Sequence, residues 1–411
     1  MSTESFPRAF KLNLSDRSCG NGLAEIIDRY YADYCRTHKL SAHQHRVLTS
    51  IRNCRTRALG GHLRECDVCK HREIAYNSCG DRHCPKCQSN RGMKWLRDQL
   101  ATILPIPYYH VVFTLPHELN DLCLCNQRVM YELFFQSATQ TLQTFAADKR
   151  YLGGKLGIIA MLHTWGQNLS YHVHLHMIVT GGGLCEDTHR WRNLPYGSKF
   201  IFPVKAVSKV MRGKFLAGLR KLYDTEALKY PGKLSPLSWH GNFKQFMNQL
   251  YETTFYSYAK RPFTGSEKMF GYVGKYSNKV AISNSRIKGI DGGEIHFSYK
   301  DYRDAHKSKV MRLSSEEFLR RYLQHILPVG FRKIRYYGLF APGCRSKYID
   351  LIRKLLYLDF GISERDLNRN DLICAKCRRG VSRMIRYYSA VQFGDLIGEL
   401  NNQMSFNFNS S

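Results

Sequence analysis

Acidic residues are scarce in this chain, and long apolar runs are missing. The 411 residues include 33 Asp and Glu against 62 Lys and Arg, which gives a formal net charge of +29. No apolar run approaches the roughly 18 residues of a transmembrane helix, and residues 1–17 lack the apolar core of a secretory signal. We therefore expect a cytoplasmic protein without a membrane partner, whose partner is a polyanion such as nucleic acid.

A Walker A sequence is also missing. The nearest approach is "GYVGKYS", in which Tyr276 occupies the position that requires Ser or Thr. We therefore do not expect the chain to unwind duplex DNA, and a host helicase is the expected partner for that step. The 26 Tyr and 22 Phe residues favour single-stranded nucleic acid, whose unstacked bases need aromatic faces.

The densest cysteine cluster is "CDVCKHREIAYNSCGDRHCPKCQ", residues 66–88. Two CxxC pairs at this spacing are typical of a zinc ribbon, in which four thiolates hold one tetrahedral Zn²⁺. The prediction is a structural Zn²⁺ site, with Cys79 and His83 as alternative ligands or supporting residues and a redox CxxC pair as the competing interpretation. The expected ligands are Cys66, Cys69, Cys84 and Cys87.

The remaining cysteines give weaker signals. Cys374 and Cys377 form a lone CxxC near the C-terminus, and two ligands alone do not complete a zinc site. Cys123 and Cys125 lack a metal-like context and are expected in the core or in a loop.

Three histidines alternate in "YHVHLHMIVTGGG", residues 171–183. A strand with this sequence would present His172, His174 and His176 on one face and apolar residues on the other. Three adjacent neutral imidazoles suit a divalent metal. The competing interpretation is a set of ordinary, hydrogen-bonded strand histidines.

Two tyrosines and two lysines share the segment "MFGYVGKYSNKVAISNSR", residues 269–286. On a helix, Tyr272 and Tyr276 lie on one face, with Lys275 and Lys279 nearby. Ammonium groups favour the phenolate and can hold a phosphate oxygen. The competing interpretation is an amphipathic helix whose tyrosines pack in the core.

The apolar pattern predicts an α+β fold with a central antiparallel sheet and helices on one face. The expected domains are an N-terminal DNA-binding region (1–100), a catalytic domain (101–300) and a basic C-terminal region (301–411) that ends in a disordered tail. The expected elements are strands over 107–115, 155–165, 171–180 and "KFIFPV", helices over 117–148, 205–224 and 242–258, and a hairpin around Asp291–Gly293.

Together, the histidine strand and the downstream tyrosine segment resemble the HUH endonucleases. The order of the motifs resembles the rolling-circle insertion-sequence transposases of the two-tyrosine type, the IS91 group, over about residues 20–380. Val173 stands where that group usually has proline, which we expect to change only the start of the strand. The quoted motifs are "SCGDRHCPKCQ", "VVFTLPHEL", "WGQNLSYHVHLHMIVTGGGL", "YVGKYSNKVAISNSRI" and "RYYGLF".

The resemblance implies a DNA transposase that nicks and joins single strands at element ends and at a target. It implies that Tyr272 and Tyr276 are the nucleophiles, assisted by Lys275 and Lys279, and that a 5′-phosphotyrosine forms. His174 and His176 would bind Mg²⁺ or Mn²⁺, with His172 as a third ligand or an orienting residue, and His163 and Gln167 as other candidates for that ligand. The alternatives are a rolling-circle replication initiator, a non-catalytic zinc-dependent DNA-binding regulator and a hydrolase that uses only the histidines.

Overall fold

The computed structural model describes residues 11–12, 22–88, 104, 106–194, 201–263, 279–302, 304–356, 374 and 376–393. Tyr272, Lys275, Tyr276 and the tail from 401 to 411 lie outside the described residues. The chain forms two compact units, and each is assembled from separate stretches of sequence. One contains Met1–Arg91, Ile282–Leu319 and Ile362–Ser411, and the other contains Gly92–Ala281 and Arg320–Gly361.

Helices and strands alternate irregularly along the described residues. The α-helices are α1 (Leu23–Thr37), α2 (Ala42–Arg52), α3 (Asn120–Cys125), α4 (Gln127–Ala147), α5 (Val204–Asp224), α6 (His240–Glu252), α7 (Ser315–Leu323) and α8 (Arg345–Leu355). The strands are β1 (Lys11–Leu12), β2 (Gly61–Cys66), β3 (Arg72–Tyr76), β4 (Tyr108–Thr114), β5 (Gly157–Trp165), β6 (Tyr171–Thr180), β7 (Gly182–Cys185), β8 (Arg190–Asn193), β9 (Tyr256–Phe263), β10 (Ile287–Asp291), β11 (Glu294–Asp301), β12 (Lys307–Ser314), β13 (Ile334–Gly338) and β14 (Ser382–Tyr388).

The first unit contains a four-stranded sheet in the order β1-β3-β2-β14 and a three-stranded sheet, β10-β11-β12. β1 runs parallel to β3, and the other pairings are antiparallel. Because β14 pairs with β2, segments from near both ends of the chain share one sheet. Within the region 301–411, β14 belongs to the first unit, whereas β13 and α8 belong to the second.

The second unit is built on an antiparallel five-stranded sheet in the order β13-β5-β6-β4-β9. Alternate residues of β6, namely Val173, Leu175 and Met177, are buried in a core shared with α4, α5 and α6. On the opposite face, Met161 and Ile178 join a second apolar cluster with residues of α8. This arrangement follows the two-residue side-chain period of a strand. The α+β fold is confirmed, but the expectation of helices on one face is wrong, because α8 packs against the second face.

Most predicted elements are confirmed, with three corrections. The helix expected over 242–258 ends at Glu252, and residues 256–258 belong to β9 instead. The helix expected over 117–148 is interrupted at Asn126, whose side-chain amide exchanges hydrogen bonds with the backbone of Lys229 at 2.7 and 2.9 Å. No strand forms in the described part of "KFIFPV", because Pro203 starts α5, where proline sets a helix-compatible φ angle.

Cys123 is buried, as expected for a core cysteine, whereas Cys125 is exposed at the last position of α3 and does not lie in a loop. The hairpin turn is also confirmed, with Gly292 and Gly293 at φ values of 54° and 84°, in the left-handed region that favours glycine. Within the described residues, helices that combine the length and the apolar character needed to cross a bilayer are absent.

Candidate active site and metal centres

Two antiparallel strands bring histidines together on one face of the central sheet. In the register of β5 and β6, His163 lies directly opposite His174. Directly opposed residues of an antiparallel pair project to the same face with their Cβ atoms about 5 Å apart. His176 follows two positions later on that face, while Val173 and Leu175 face the apolar core. The alternation of histidine with apolar residues in β6 therefore determines which face of the sheet carries the imidazole rings.

The three histidines have the spacing of a metal site. His163, His174 and His176 each offer a ring nitrogen, and these nitrogens lie within 4.8 Å of one another. The ring centroid of His163 is 5.5 Å from that of His174 and 4.7 Å from that of His176. His163 and His176 are buried, with exposed fractions of 3% and 8%. Burial limits competition from water for such a site.

The structure brings His163, one of the alternative candidates for the third ligand, to His174 and His176. His163, and not His172, completes the cluster with His174 and His176. The reason is position along the strand: His172 lies four residues from His176, which is about 13 Å of strand. His163 lies opposite His174 on the neighbouring strand, and its ring centroid is 4.7 Å from that of His176. His172 is exposed near the start of β6, and its backbone carbonyl accepts a hydrogen bond from Nδ1 of His174 at 2.9 Å. Gln167 lies in the turn between β5 and β6.

The environment keeps the clustered imidazoles neutral. Burial, followed by repulsion from His172 and Lys279, lowers the pKa of His174 to about 3. Burial and the charges of His163, His174, His110 and Lys279 also hold the pKa of His176 well below its usual value. Neutral imidazole is the form that binds metal. His174 and His176 are therefore in their metal-binding protonation state at neutral pH.

A fourth histidine supports the cluster from β4. His110 is 2% exposed, and its Nε2 atom lies 2.9 Å from Nδ1 of His176. The two rings stack with centroids 5.1 Å apart. His110 could not be identified from the sequence, because it stands alone in "PYYHVVFTL" and one histidine in an apolar strand carries no metal signature.

Of the four residues predicted to perform the covalent chemistry, Lys279 is described. Its side chain is exposed, and its carbonyl accepts a hydrogen bond from Nζ of Lys333 at 3.1 Å. Its ammonium lies close enough to His174 and His176 to lower their pKa values. Tyr272, Lys275 and Tyr276 lie outside the described residues, so their roles stay predictions.

The cysteines of the first unit form two clusters, where one zinc site was expected. One contains Cys54, Cys79, Cys84 and Cys87, and the other contains Cys66, Cys69, Cys374 and Cys377. The expected set of Cys66, Cys69, Cys84 and Cys87 is thus wrong as a single site. The reason is that β2 and β3 carry the first CxxC pair to one end of the hairpin, whereas Cys79 and Cys84–Cys87 follow β3 at its other end.

The cluster around Cys87 has the features of a structural zinc site. Its sulfur lies 3.5 Å from that of Cys54 and 3.6 Å from that of Cys79. Hydrogen bonds within the cluster lower the pKa of the Cys87 thiol and raise the pKa values of Cys79 and Cys84, so Cys87 most readily supplies a thiolate of the kind that zinc requires. Four cysteine ligands leave no open position for catalysis.

The residues that form this cluster differ from the predicted ligands at Cys79, Cys54 and His83. Cys79, an alternative ligand in the sequence, is one of the four, and Cys54 replaces a residue of the first CxxC pair. Cys54 is an isolated cysteine without a partner in a short motif, so spacing alone could not identify it. His83 instead pairs through Nδ1 with Oδ1 of Asp81 at 2.8 Å.

The comparisons with known proteins agree with these sites. A family model described as "Putative transposase" matches residues 157–347, which include the histidine cluster. A second, described as "Transposase zinc-binding domain", matches residues 26–115, which include the whole Cys54–Cys87 cluster.

Two relatives extend the similarity over most of the chain. A protein from Sinorhizobium fredii named "Putative transposase y4qJ" is 44% identical over 338 residues, which are 82% of this chain and 84% of that protein. The "Transposase for insertion sequence element IS801" of Pseudomonas savastanoi pv. phaseolicola is 27% identical over 317 residues, covering 75% of this chain and 73% of that protein. The chain therefore belongs to the IS91-family transposases of insertion sequences, DNA-processing enzymes with an N-terminal zinc-binding domain.

Proposed function

We propose that this transposase nicks and joins single-stranded DNA through a tyrosine of the segment 269–286, at the histidine cluster of β5 and β6. The observation that carries the proposal is the position of Lys279: its charge acts on His174 and His176, and it ends the predicted Y-x-x-K-Y-x-x-K motif. A histidine metal site and a tyrosine segment are the two parts that the reaction needs.

The donor set fits a divalent first-row metal. His163, His174 and His176 would hold it through neutral ring nitrogens. Imidazole suits Mn²⁺ better than Mg²⁺, which prefers oxygen ligands, so DNA and water oxygens would complete the coordination of either ion. When bound, such an ion supplies Lewis-acid polarisation of a phosphate.

The chain's own residues then provide the nucleophile. The phenol oxygen of Tyr272 or Tyr276 attacks the phosphorus, a new P–O bond to tyrosine forms, and the bond to the 3′-oxygen breaks. The phenolic proton leaves and the 3′-oxygen gains one, so the products are a 5′-phosphotyrosine and a free 3′-hydroxyl. Because the phosphodiester energy is retained, the strand can later be joined to a target without ATP.

Chain connectivity supports the participation of Tyr276. Tyr276 is three residues from Lys279, and three residues of chain span at most about 11 Å. A tyrosine side chain then has the reach to approach the cluster. Lys275 and Lys279 would favour the phenolate and hold phosphate oxygens. With two tyrosines, a second strand can be cut while the first remains attached.

The charge and the aromatic content support single-stranded DNA as the substrate. A net charge of +29 attracts the phosphate backbone, and aromatic side chains can stack on unpaired bases. The substrates would be the element ends and a target strand in the cytoplasm, with a host helicase opening the duplex.

The test is a cleavage assay with a 5′-labelled and a 3′-labelled single-stranded oligonucleotide that carries an element end, in the presence of Mn²⁺. On a denaturing protein gel, we expect the 3′-labelled strand to migrate with the protein, and the 5′-labelled strand to shorten without attachment. The adduct is expected to disappear when both Tyr272→Phe and Tyr276→Phe are present.

The outcomes separate the alternatives. Cleavage without an adduct would indicate a hydrolase that uses only the histidines. A mobility shift without cleavage would indicate a DNA-binding regulator. A tyrosine adduct that forms only at a plasmid or phage origin, and not at element ends, would indicate a replication initiator.

A further inference from the structure

We propose that Cys66, Cys69, Cys374 and Cys377 bind a second structural Zn²⁺, which fastens β14 to the zinc-binding domain. Four sulfur atoms bound to one tetrahedral zinc at about 2.3 Å lie about 3.8 Å apart. The sulfur of Cys66 lies 3.8 Å from that of Cys377, and the sulfur of Cys69 lies 3.6 Å from that of Cys374. All four lie within 4.8 Å of one another.

The two CxxC segments are followed by residues with the same conformation. In each, the residue after the second cysteine is left-handed: Lys70 has a φ of 55° and Arg378 a φ of 53°. The amide of each of these residues donates to the carbonyl of the first cysteine, at 3.1 Å for Lys70 and 2.9 Å for Arg378. Two segments that lie 305 residues apart, counted from Cys69 to Cys374, therefore share this hydrogen bond, and their four thiols meet at a common centre.

Backbone amides support the sulfur atoms of this cluster. The amide of Cys69 donates to Sγ of Cys66 at 3.4 Å, and the amide of Gly380 donates to Sγ of Cys377 at 3.3 Å. Donors directed at sulfur stabilise the thiolate form. Gly380 also allows close approach, because a Cβ atom at this position would lie 2.4 Å from Sγ of Cys66.

Cross-strand hydrogen bonds align the two halves of the cluster. Asp67 and Val381 exchange two bonds: the Asp67 amide donates to the Val381 carbonyl at 3.0 Å, and the Val381 amide donates to Oδ1 of Asp67 at 2.7 Å. In the register of β2 and β14, Cys66 lies opposite Ser382. The thiol cluster therefore lies directly at the end of the paired strands β2 and β14.

The family zinc-binding model ends at residue 115 and so contains only half of this cluster. The other half is separated from it by 305 residues, measured from Cys69 to Cys374. A crosslink that closes so long a loop removes much entropy from the unfolded chain. The second zinc would therefore hold β14, which pairs only with β2 in the described part of the sheet, against the domain.

The experiment counts zinc in the purified full chain. Zinc released by an organomercurial, which displaces it from thiolates and not from imidazoles, is expected at two per chain. The Cys374→Ser/Cys377→Ser variant is expected to release one per chain. Cys125→Ser, an exposed cysteine outside both clusters, is the matched control and is expected to release two.

A second measurement follows β14 directly. Amide hydrogen exchange over residues 382–388 is expected to speed up at least about tenfold in the double variant, while β5 and β6 stay protected. If the double variant does not fold, the number of zinc ions released from the wild-type chain still tests the proposal. One released zinc per chain, or two retained after loss of Cys374 and Cys377, would overturn the proposal, and so would a Cys66–Cys377 disulfide in the protein purified under reducing conditions.

Discussion

The Nε2 atom of His110 lies 2.9 Å from the Nδ1 atom of His176, and both rings are buried. One ring must donate and the other accept, so the bond couples the tautomers of the two residues. A histidine that binds metal commonly donates its other ring N–H to a neighbour. If Nδ1 of His176 donates to His110, a metal binds His176 through Nε2. His110 is then a positioning residue for this ligand.

Replacement of His110 is expected to weaken metal binding without loss of the fold. The His110→Phe variant cannot accept the bond, so we expect Mn²⁺ affinity, measured by calorimetry, to fall by about 10- to 100-fold. The His110→Gln variant keeps an acceptor oxygen and is expected to recover part of the affinity. His117→Phe changes an exposed histidine and is the control. Equal Mn²⁺ affinity in His110→Phe and wild type would contradict the positioning role.

The third metal ligand can be assigned by a pair of matched variants. We expect His163→Ala to reduce Mn²⁺ affinity by at least about 100-fold, because loss of a ligand costs at least as much as loss of a ligand's partner. His172→Ala, at the exposed start of β6, is expected to change it by less than about tenfold. DNA nicking rates should follow the same order. The reverse order would identify His172 as the ligand.

Lys279 is expected to act on both the metal site and the phosphate. Lys279→Met removes a positive charge that lowers the pKa values of His174 and His176, so the intrinsic Mn²⁺ affinity should not fall. Adduct formation is expected to slow by roughly 100-fold, because a charged contact to the reacting phosphate is lost. Lys149→Met, at an exposed lysine, is the control. A rate equal to the control's would remove Lys279 from the chemistry.

The pH dependence of stability follows from the lowered pKa of His174. An unfolded imidazole gains its proton near pH 6.5, whereas folded His174 does so only at about pH 3. Between these values the unfolded chain binds more protons, so His174 destabilises the fold progressively as the pH falls, by up to about 1.4 kcal/mol per pH unit.

Thermal unfolding without added Mg²⁺ or Mn²⁺ tests this sign. The His174→Gln variant lacks the titrating group, so its midpoint is expected to drop less than that of wild type between pH 7 and pH 5. At pH 7.5, where the imidazole is neutral in both states, this contribution is absent. Parallel pH profiles for the two proteins would contradict the account.

Local patterns in the sequence were sufficient to predict features that depend on a single strand or a short motif. The alternation in "YHVHLH" correctly placed His174 and His176 on one face, because the side-chain period of a strand is independent of its neighbours. The third member of the cluster depends on the register between β5 and β6, which the turn after Trp165 sets and which a single strand does not contain.

The grouping of the cysteines was also not predictable from local patterns, because it depends on contacts between distant parts of the chain. CxxC spacing identified most ligands, but their grouping depends on which ends of the β2–β3 hairpin they occupy and on the pairing of β14 with β2. Cys54 and the Cys374–Cys377 pair join clusters only through these long-range contacts. Spacing in the sequence therefore identifies candidate ligands, but it does not show which of them share one metal site.

The most direct test of the central chemistry is to locate the covalent bond. After reaction with Mn²⁺ and an element-end oligonucleotide, the protein is digested with nuclease and protease and its peptides are sequenced by mass spectrometry. We predict a nucleotide joined through its 5′-phosphate to Tyr272 or Tyr276, and its absence in His163→Ala. A nucleotide on any other residue, or cleaved DNA with no modified tyrosine, would contradict the account.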